Sequence, residues 1–114
     1  MTYKVIFSSG YTDDDEALMK GYRSDILILD ETDNYYEANF VELNTIINLF
    51  TQDKICLIEN NLVILHRVTK ENILQSIAEL HQTSFHLHWV PLSNDLIKKY
   101  YYPTEHWVTF EVVV

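Results

Sequence analysis

Glycine and proline each occur only twice in this 114-residue chain, and cysteine once. Loops that wrap phosphate need glycine so that backbone N–H groups can approach the anion. Neither Gly10 nor Gly21 lies in a glycine-rich pattern, so nucleotide-binding loops of the familiar kinds are disfavoured. The lone Cys56 cannot close an intramolecular disulfide, and its neighbours in "ICLI" read as a buried strand. It is expected to be a small core residue rather than a reactive thiol. Basic residues are also scarce, with eight against seventeen acids, a net charge of −9. Nucleic acids and anionic membranes select a basic patch, so both are disfavoured as partners. The opening "MTYKVIFSSG" has an apolar run of three residues, too short for the core of a secretory signal. No later stretch approaches the roughly 18 apolar residues of a membrane span. The expectation is a soluble, cytoplasmic protein.

What is present is ordinary globular material. Hydrophobic residues make up 47% and charged residues 22%, which suits one domain over residues 1–114 with a single core. The charge is lopsided: residues 1–53 hold eleven acids and three bases, and residues 54–114 six and five. An acidic half of that kind serves solubility, or fast capture of a basic protein.

The periodicities predict seven strands and two to three helices. "TYKVIF", "SDILILD" and "NYYEANF" read as strands, the last two joined through the turn residues of "ETDN". Leu43, Ile46, Ile47 and Phe50 then recur at helical spacing and predict one buried helix face. "KICLIE" and "LVILHRV" flank Asn60-Asn61, which reads as a hairpin turn because asparagine tolerates positive φ. Thr69 is placed to cap a helix lined by Ile73, Ile77 and Leu80. "SFHLHWV" alternates as a strand, with Phe85, Leu87 and Trp89 on one face. Ser93 caps a short helix through "NDLIKKYY" that Pro103 closes, and "HWVTFEVVV" is the last strand, its apolar terminus tied into the sheet. Hairpins outnumber strand–helix–strand units, so the expected fold is α+β, with a mainly antiparallel sheet of six to seven strands.

Candidate chemistry is thin. On the predicted strand His86 and His88 share one face, a spacing able to chelate a transition metal with His106 or His66 completing the set; the alternative is a solvated polar face. His81-Gln82-Thr83 has the His-x-Thr form of two-histidine phosphoesterases but lacks the second copy that such chemistry needs. Asp13, Asp14, Asp15 and Glu16 are consecutive, whereas calcium loops alternate their ligands and bend at a glycine, so this run reads as a solvated loop. Ser8-Ser9-Gly10 lacks a nucleophile-elbow pattern. No cofactor and no catalytic residues are expected, and the chain does not read as an enzyme.

Tyrosine is the abundant aromatic, with eight copies gathered mostly in "GYT", "GYR", "NYYE" and "KYYYP". Successive strand residues face opposite ways, so Tyr35 and Tyr36 cannot both be core. Part of Tyr100, Tyr101 and Tyr102 should be exposed for the same reason. Exposed tyrosine beside carboxylate is the composition of a protein-binding surface; the alternative is rings that merely cover sheet edges.

"SNDLIKKYYYPTEH" resembles the specificity segment of the immunity proteins that protect bacteria against nuclease colicins. In that family an aspartate and two apolar residues lead into Tyr-Tyr-Pro, as Asp95, Leu96 and Ile97 precede Tyr101-Tyr102-Pro103 here. The resemblance implies that Asp95, Tyr101 and Tyr102 grip a toxin. It spans about a dozen residues, is interrupted by Lys98, Lys99 and Tyr100, and joins a strand-rich chain to an all-helical family. What it implies is therefore a mode of recognition and not a shared fold. The leading expectation is an immunity-type inhibitor that occludes a basic toxin, in particular a nuclease. Asp13, Asp14, Asp15, Glu16, Asp30, Glu31 and Asp33 would mimic a phosphate surface, with Tyr35, Asp95, Tyr101 and Tyr102 as contacts. The rival readings are a small metal-binding domain or hydrolase using His86, His88 and His106, and a structural or regulatory subunit such as a DNA mimic.

Overall fold

The two ends of the chain lie side by side in a computed structural model that describes all 114 residues, 1–114. Strand β1 (Thr2–Phe7) pairs antiparallel with β5 (Val108–Val113), and the Val114 N–H donates to Met1 O at 2.9 Å. The apolar terminus is thus tied into the sheet, as expected. Strands β2 (Tyr22–Leu29) and β3 (Tyr35–Glu42) continue the sheet antiparallel, and β4 (Leu62–Leu65) joins β3 in parallel, giving the order β4-β3-β2-β1-β5. The class is α+β with a five-stranded mixed sheet, fewer strands than the six to seven expected. The helices are α1 (Asp15–Lys20), α2 (Leu43–Thr51), α3 (Lys70–Gln82) and α4 (Asn94–Tyr100), where two to three were expected. None is long and apolar enough to cross a membrane.

Strand alternation puts a different core on each face of the sheet. Tyr3, Val5, Phe7, Ile26, Ile28, Tyr36, Ala38 and Phe40 line one face, buried beneath Ile73 and Ile77 of α3, with Ala17, Val68 and Phe85. Each fully buried isoleucine of α3 contributes about 1.5–3 kcal/mol of transfer free energy. Thr69 caps α3 as predicted, its side chain accepting from the Asn72 N–H at 3.1 Å.

Ile6, Leu27 and Val41 point to the opposite face and are also buried. The chain reaches that face by passing round the exposed end of β3, where the Leu92 N–H donates to Tyr35 O at 2.8 Å. There α4 begins, capped by Ser93, and it buries Ile97. The 3₁₀ turn Thr104–His106 and Trp107 then lead into β5.

Three expected elements are absent. Residues 54–59 form no strand; Ile55, Cys56 and Ile58 are exposed, so Cys56 is no core residue. Asn61 does take positive φ (52°), but no hairpin follows, because β4 runs parallel to β3 after a helical crossover. "SFHLHWV" is a 3₁₀ turn over Phe85–Leu87 and not a strand: Phe85 is buried against Tyr3 and Tyr36, while Leu87 is 73% exposed. Local alternation cannot form a strand without a neighbour to pair with, and the one buried aromatic takes the segment into the core instead. Helix α2 forms where its periodicity predicts, yet none of its residues is buried. Leu43, Ile47 and Phe50 keep about half their surface in water.

Candidate functional site

The seven candidate acids, Asp13, Asp14, Asp15, Glu16, Asp30, Glu31 and Asp33, divide between the two ends of β2. Helix α1 and the loop before it lie at the Tyr22 end, and the β2–β3 turn at the Leu29 end. Eight strand residues at about 3.3 Å each separate them by about 25 Å. The single cohesive face expected of them is not formed.

At the α1 end three of the four carboxylates have local work. Asp13 accepts the Asp15 N–H at 3.0 Å, and Asp14 accepts the Lys70 N–H at 2.8 Å, so it caps the first turn of α3 from a distant loop. Glu16 pairs with Lys20 one turn on at 2.6 Å, and that hydrogen bond and charge hold the Glu16 carboxyl below its ordinary value. Helix α1 is stopped by Gly21, whose φ of 77° suits glycine; a Cβ there would collide with Thr45 Oγ1 of α2.

Beside α1 opens a polar cleft of about 440 Å³, lined among others by Ser9, Tyr11, Asp13, Lys20, Arg23 and Asp25. Arg23 and Asp25 occupy a register irregularity in β2, where the pairing with β3 shifts between Arg23 and Ile26. The bulge turns Arg23 inward over the Phe7 ring, 4.5 Å from its centroid. Its guanidinium forks onto Asp25 (Nε–Oδ1 2.8 Å, Nη2–Oδ2 3.1 Å) and Nη2 also donates to Gly10 O at 2.7 Å. Asp25 accepts the Ser9 N–H as well. Nothing in the sequence marks this pair beyond an arginine two residues from an aspartate.

At the Leu29 end, Asp30 Oδ1 accepts from the Thr32 N–H, the Thr32 hydroxyl and the Asn34 N–H, which folds the turn around one oxygen. Glu31 accepts the Thr2 N–H at 2.6 Å. Asp33 has positive φ (61°) and is exposed. Beneath the turn, burial and then Asp30 push the Tyr36 phenol above its ordinary value. Tyr3, raised chiefly by burial, shares a 2.8 Å hydrogen bond with His81 Nδ1.

An aromatic belt adjoins this turn across the second face. Tyr35 packs on Trp107 with ring centroids 6.2 Å apart, Tyr102 on Trp107 at 6.4 Å, and Trp107 Nε1 donates to Tyr101 O at 2.8 Å. Burial and the Glu37 carboxylate raise the Tyr101 phenol well above its ordinary value. Tyr100 and Tyr102 are 65% and 52% exposed, and Asp95 is exposed in the first turn of α4. The structure therefore sets Asp30, Glu31, Asp33 and Tyr35 together at this end, and Trp107 links Tyr35 to Tyr101 and Tyr102, which lie across the second face, with Asp95 on the helix that follows Leu92. Asp13, Asp14, Asp15 and Glu16 stay at the other end of β2.

The histidine alternative loses its geometry with its strand. His86 and His88 are exposed around a 3₁₀ turn, and His106 lies 3.7 Å from Glu105 in another. No three His, Cys, Asp or Glu side chains converge as metal ligands would. Glu42 carries structural work that nothing in the sequence marked: it is nearly buried, accepts the Val68 N–H at 3.1 Å and sits 3.5 Å from Arg67 Nε. The chain matches no known protein family, no curated protein and no solved structure.

Proposed function

We propose that this protein is a binding domain that captures a basic protein, as an immunity-type inhibitor captures a toxin nuclease and occludes its active surface. The observation that carries the reading is the juxtaposition of the acidic β2–β3 turn with the belt of Tyr35, Trp107 and the half-exposed Tyr102. Rigid rings supply contact area at low entropic cost, while the net charge of −9 steers a cation-rich surface toward them. Asp33 and Asp95 make no hydrogen bond within the fold through their side chains and are free to meet cationic partners. The α1 acids act at longer range, since Asp13, Asp14 and Glu16 are engaged locally.

Binding of basic nuclease-toxin domains, measured by surface plasmon resonance over a range of salt, tests this. Asp33→Asn with Asp95→Asn should slow association several-fold at low salt. Tyr102→Ala should act on dissociation, by roughly ten-fold or more for a ring at the interface centre. Failure of the chain to bind or protect against any such domain, or binding indifferent to both changes, would end the proposal.

A further inference from the structure

The chain treats the two edges of its sheet differently. One edge is made by β4, a strand of only four residues beside Asn39–Glu42 of β3, and the rest of β3 is covered where Asn61 Nδ2 donates to Glu37 O at 2.8 Å and the Leu92 N–H donates to Tyr35 O at 2.8 Å. At the far edge, β5 has no such cover. Val114 and Met1 exchange bonds, N–H to O at 2.9 Å and ammonium to Val114 O at 3.1 Å. In an antiparallel ladder the direction of these groups alternates along the strand, so Val108, Phe110 and Val112 turn theirs toward β1 as well. Thr109, Glu111 and Val113 therefore present N–H and C=O outward, and no turn, loop or side chain of the molecule bonds them. Proteins usually protect such an edge with proline, lysine, a bulge or a very short strand. β5 has none of these over its six residues, and its register with β1 is unbroken.

We infer that β5 pairs with β5 of a second copy, antiparallel about a two-fold axis at Phe110, joining two five-stranded sheets into one. Charge selects this occupant. Although the molecule carries −9, β5 itself carries a single acid, Glu111, whose cross-strand neighbour is Lys4, and Lys70 Nζ lies 4.7 Å from the Phe110 ring centroid. A basic protein finds only one carboxylate along this strand, and a second copy meets only that one locally, the remaining repulsion being the long-range one of the net charge. The axis follows from opposition on a shared face. Centred on Phe110, it sets Thr109 against Glu111 of the second copy, both with outward groups, and extends the half-buried row of Val108, Phe110 and Val112 across the seam. Centred on Glu111, it would set two carboxylates face to face, which is destabilising.

Sedimentation equilibrium on the full chain, from micromolar to millimolar, tests the pairing. The mass should rise from 13.5 kDa toward twice that, and added salt should strengthen association by screening the net charge. Glu111→Pro and Thr109→Pro each delete an outward N–H while sparing every bond to β1, because edge strands accept proline on their free side. Both variants should stay monomeric with near-native thermal unfolding, and capture of a basic partner should survive in them, which separates this inference from the proposed function. Should both fail to fold, amide exchange of the native chain decides: the amides of 109, 111 and 113 must slow as concentration rises. A native chain that stays monomeric at every concentration and salt, a dimer that persists in a folded proline variant, amides that do not slow, or an edge that pairs only with a foreign strand would each overturn the inference.

Discussion

Replacing Arg23 with methionine keeps most of the packing over Phe7 but strips Asp25 of its counter-ion. Their side chains are 15% and 19% exposed, between a buried ion pair and a surface one. Breaking a buried pair from one side costs about 3–5 kcal/mol, whereas a surface pair contributes about 0–1. Asp25 would keep the Ser9 N–H at 3.2 Å and some water, which moves the cost below the buried range. Gly10 O would lose its donor at 2.7 Å, which adds about 1 kcal/mol. The sum is a loss of about 3 kcal/mol, or roughly 10–15 °C in Tm for a chain of this size. Urea unfolding followed by far-ultraviolet circular dichroism should show the midpoint fall with the slope unchanged. Adding Asp25→Asn should then restore about half of the loss, because the stranded charge is gone. A loss below about 1 kcal/mol, or a double variant no more stable than the single, would refute this account of the bulge.

Two further outcomes follow from the packing and burial of the fold. Ile77→Ala, at a fully buried site, should cost about 2–5 kcal/mol in urea unfolding, whereas Phe50→Ala on the half-exposed face of α2 should cost about 1 kcal/mol or less; the reverse order would mean that α2, and not α3, closes the core. Tyr3, Tyr11, Tyr36 and Tyr101 hold their protons more tightly in the fold than the unfolded chain does, each raised chiefly by burial. The stability they contribute is complete below the ordinary phenol value of 10.0 and is lost as pH rises above it. Stability measured through that range should therefore decline, and less steeply in Tyr101→Phe; an identical decline in that variant would contradict the assignment.

The fold was legible where local signals and long-range partners agree. β1, β2, β3 and β5 each have strand composition, and each finds a neighbour in the sheet. The capped helices α3 and α4 begin at Thr69 and Ser93 because a side-chain oxygen beside a periodic run is nearly self-sufficient evidence. The failures share one cause. "KICLIE" and "SFHLHWV" have strand composition, but a strand exists only when a second one lies alongside. Along β3 the places are taken by β4 and by the chain at Leu92. The outer edge of β5 is left without a neighbour in the same chain. α1 escaped notice because it has six residues and its carboxylates read as solvated loop.

The acids show why a site is harder to read than a fold. A count of charges carries no direction, and β2 is long enough to send two clusters drawn from adjacent sequence to opposite ends. Nor does composition distinguish a carboxylate that orders the backbone from one left for a partner. Asp14 and Asp30 hold N–H groups of the fold, while Asp33 and Asp95 hold none. Phenols divide the same way: Tyr3 and Tyr36 went to the core, and Tyr100 and Tyr102 to the surface. Trp107 decides which surface carboxylates stand beside aromatic area, since it receives Tyr35 from β3 on one side and Tyr102 on the other. That conjunction needs three segments distant in sequence, and only the passage of the chain across the second face brings them together.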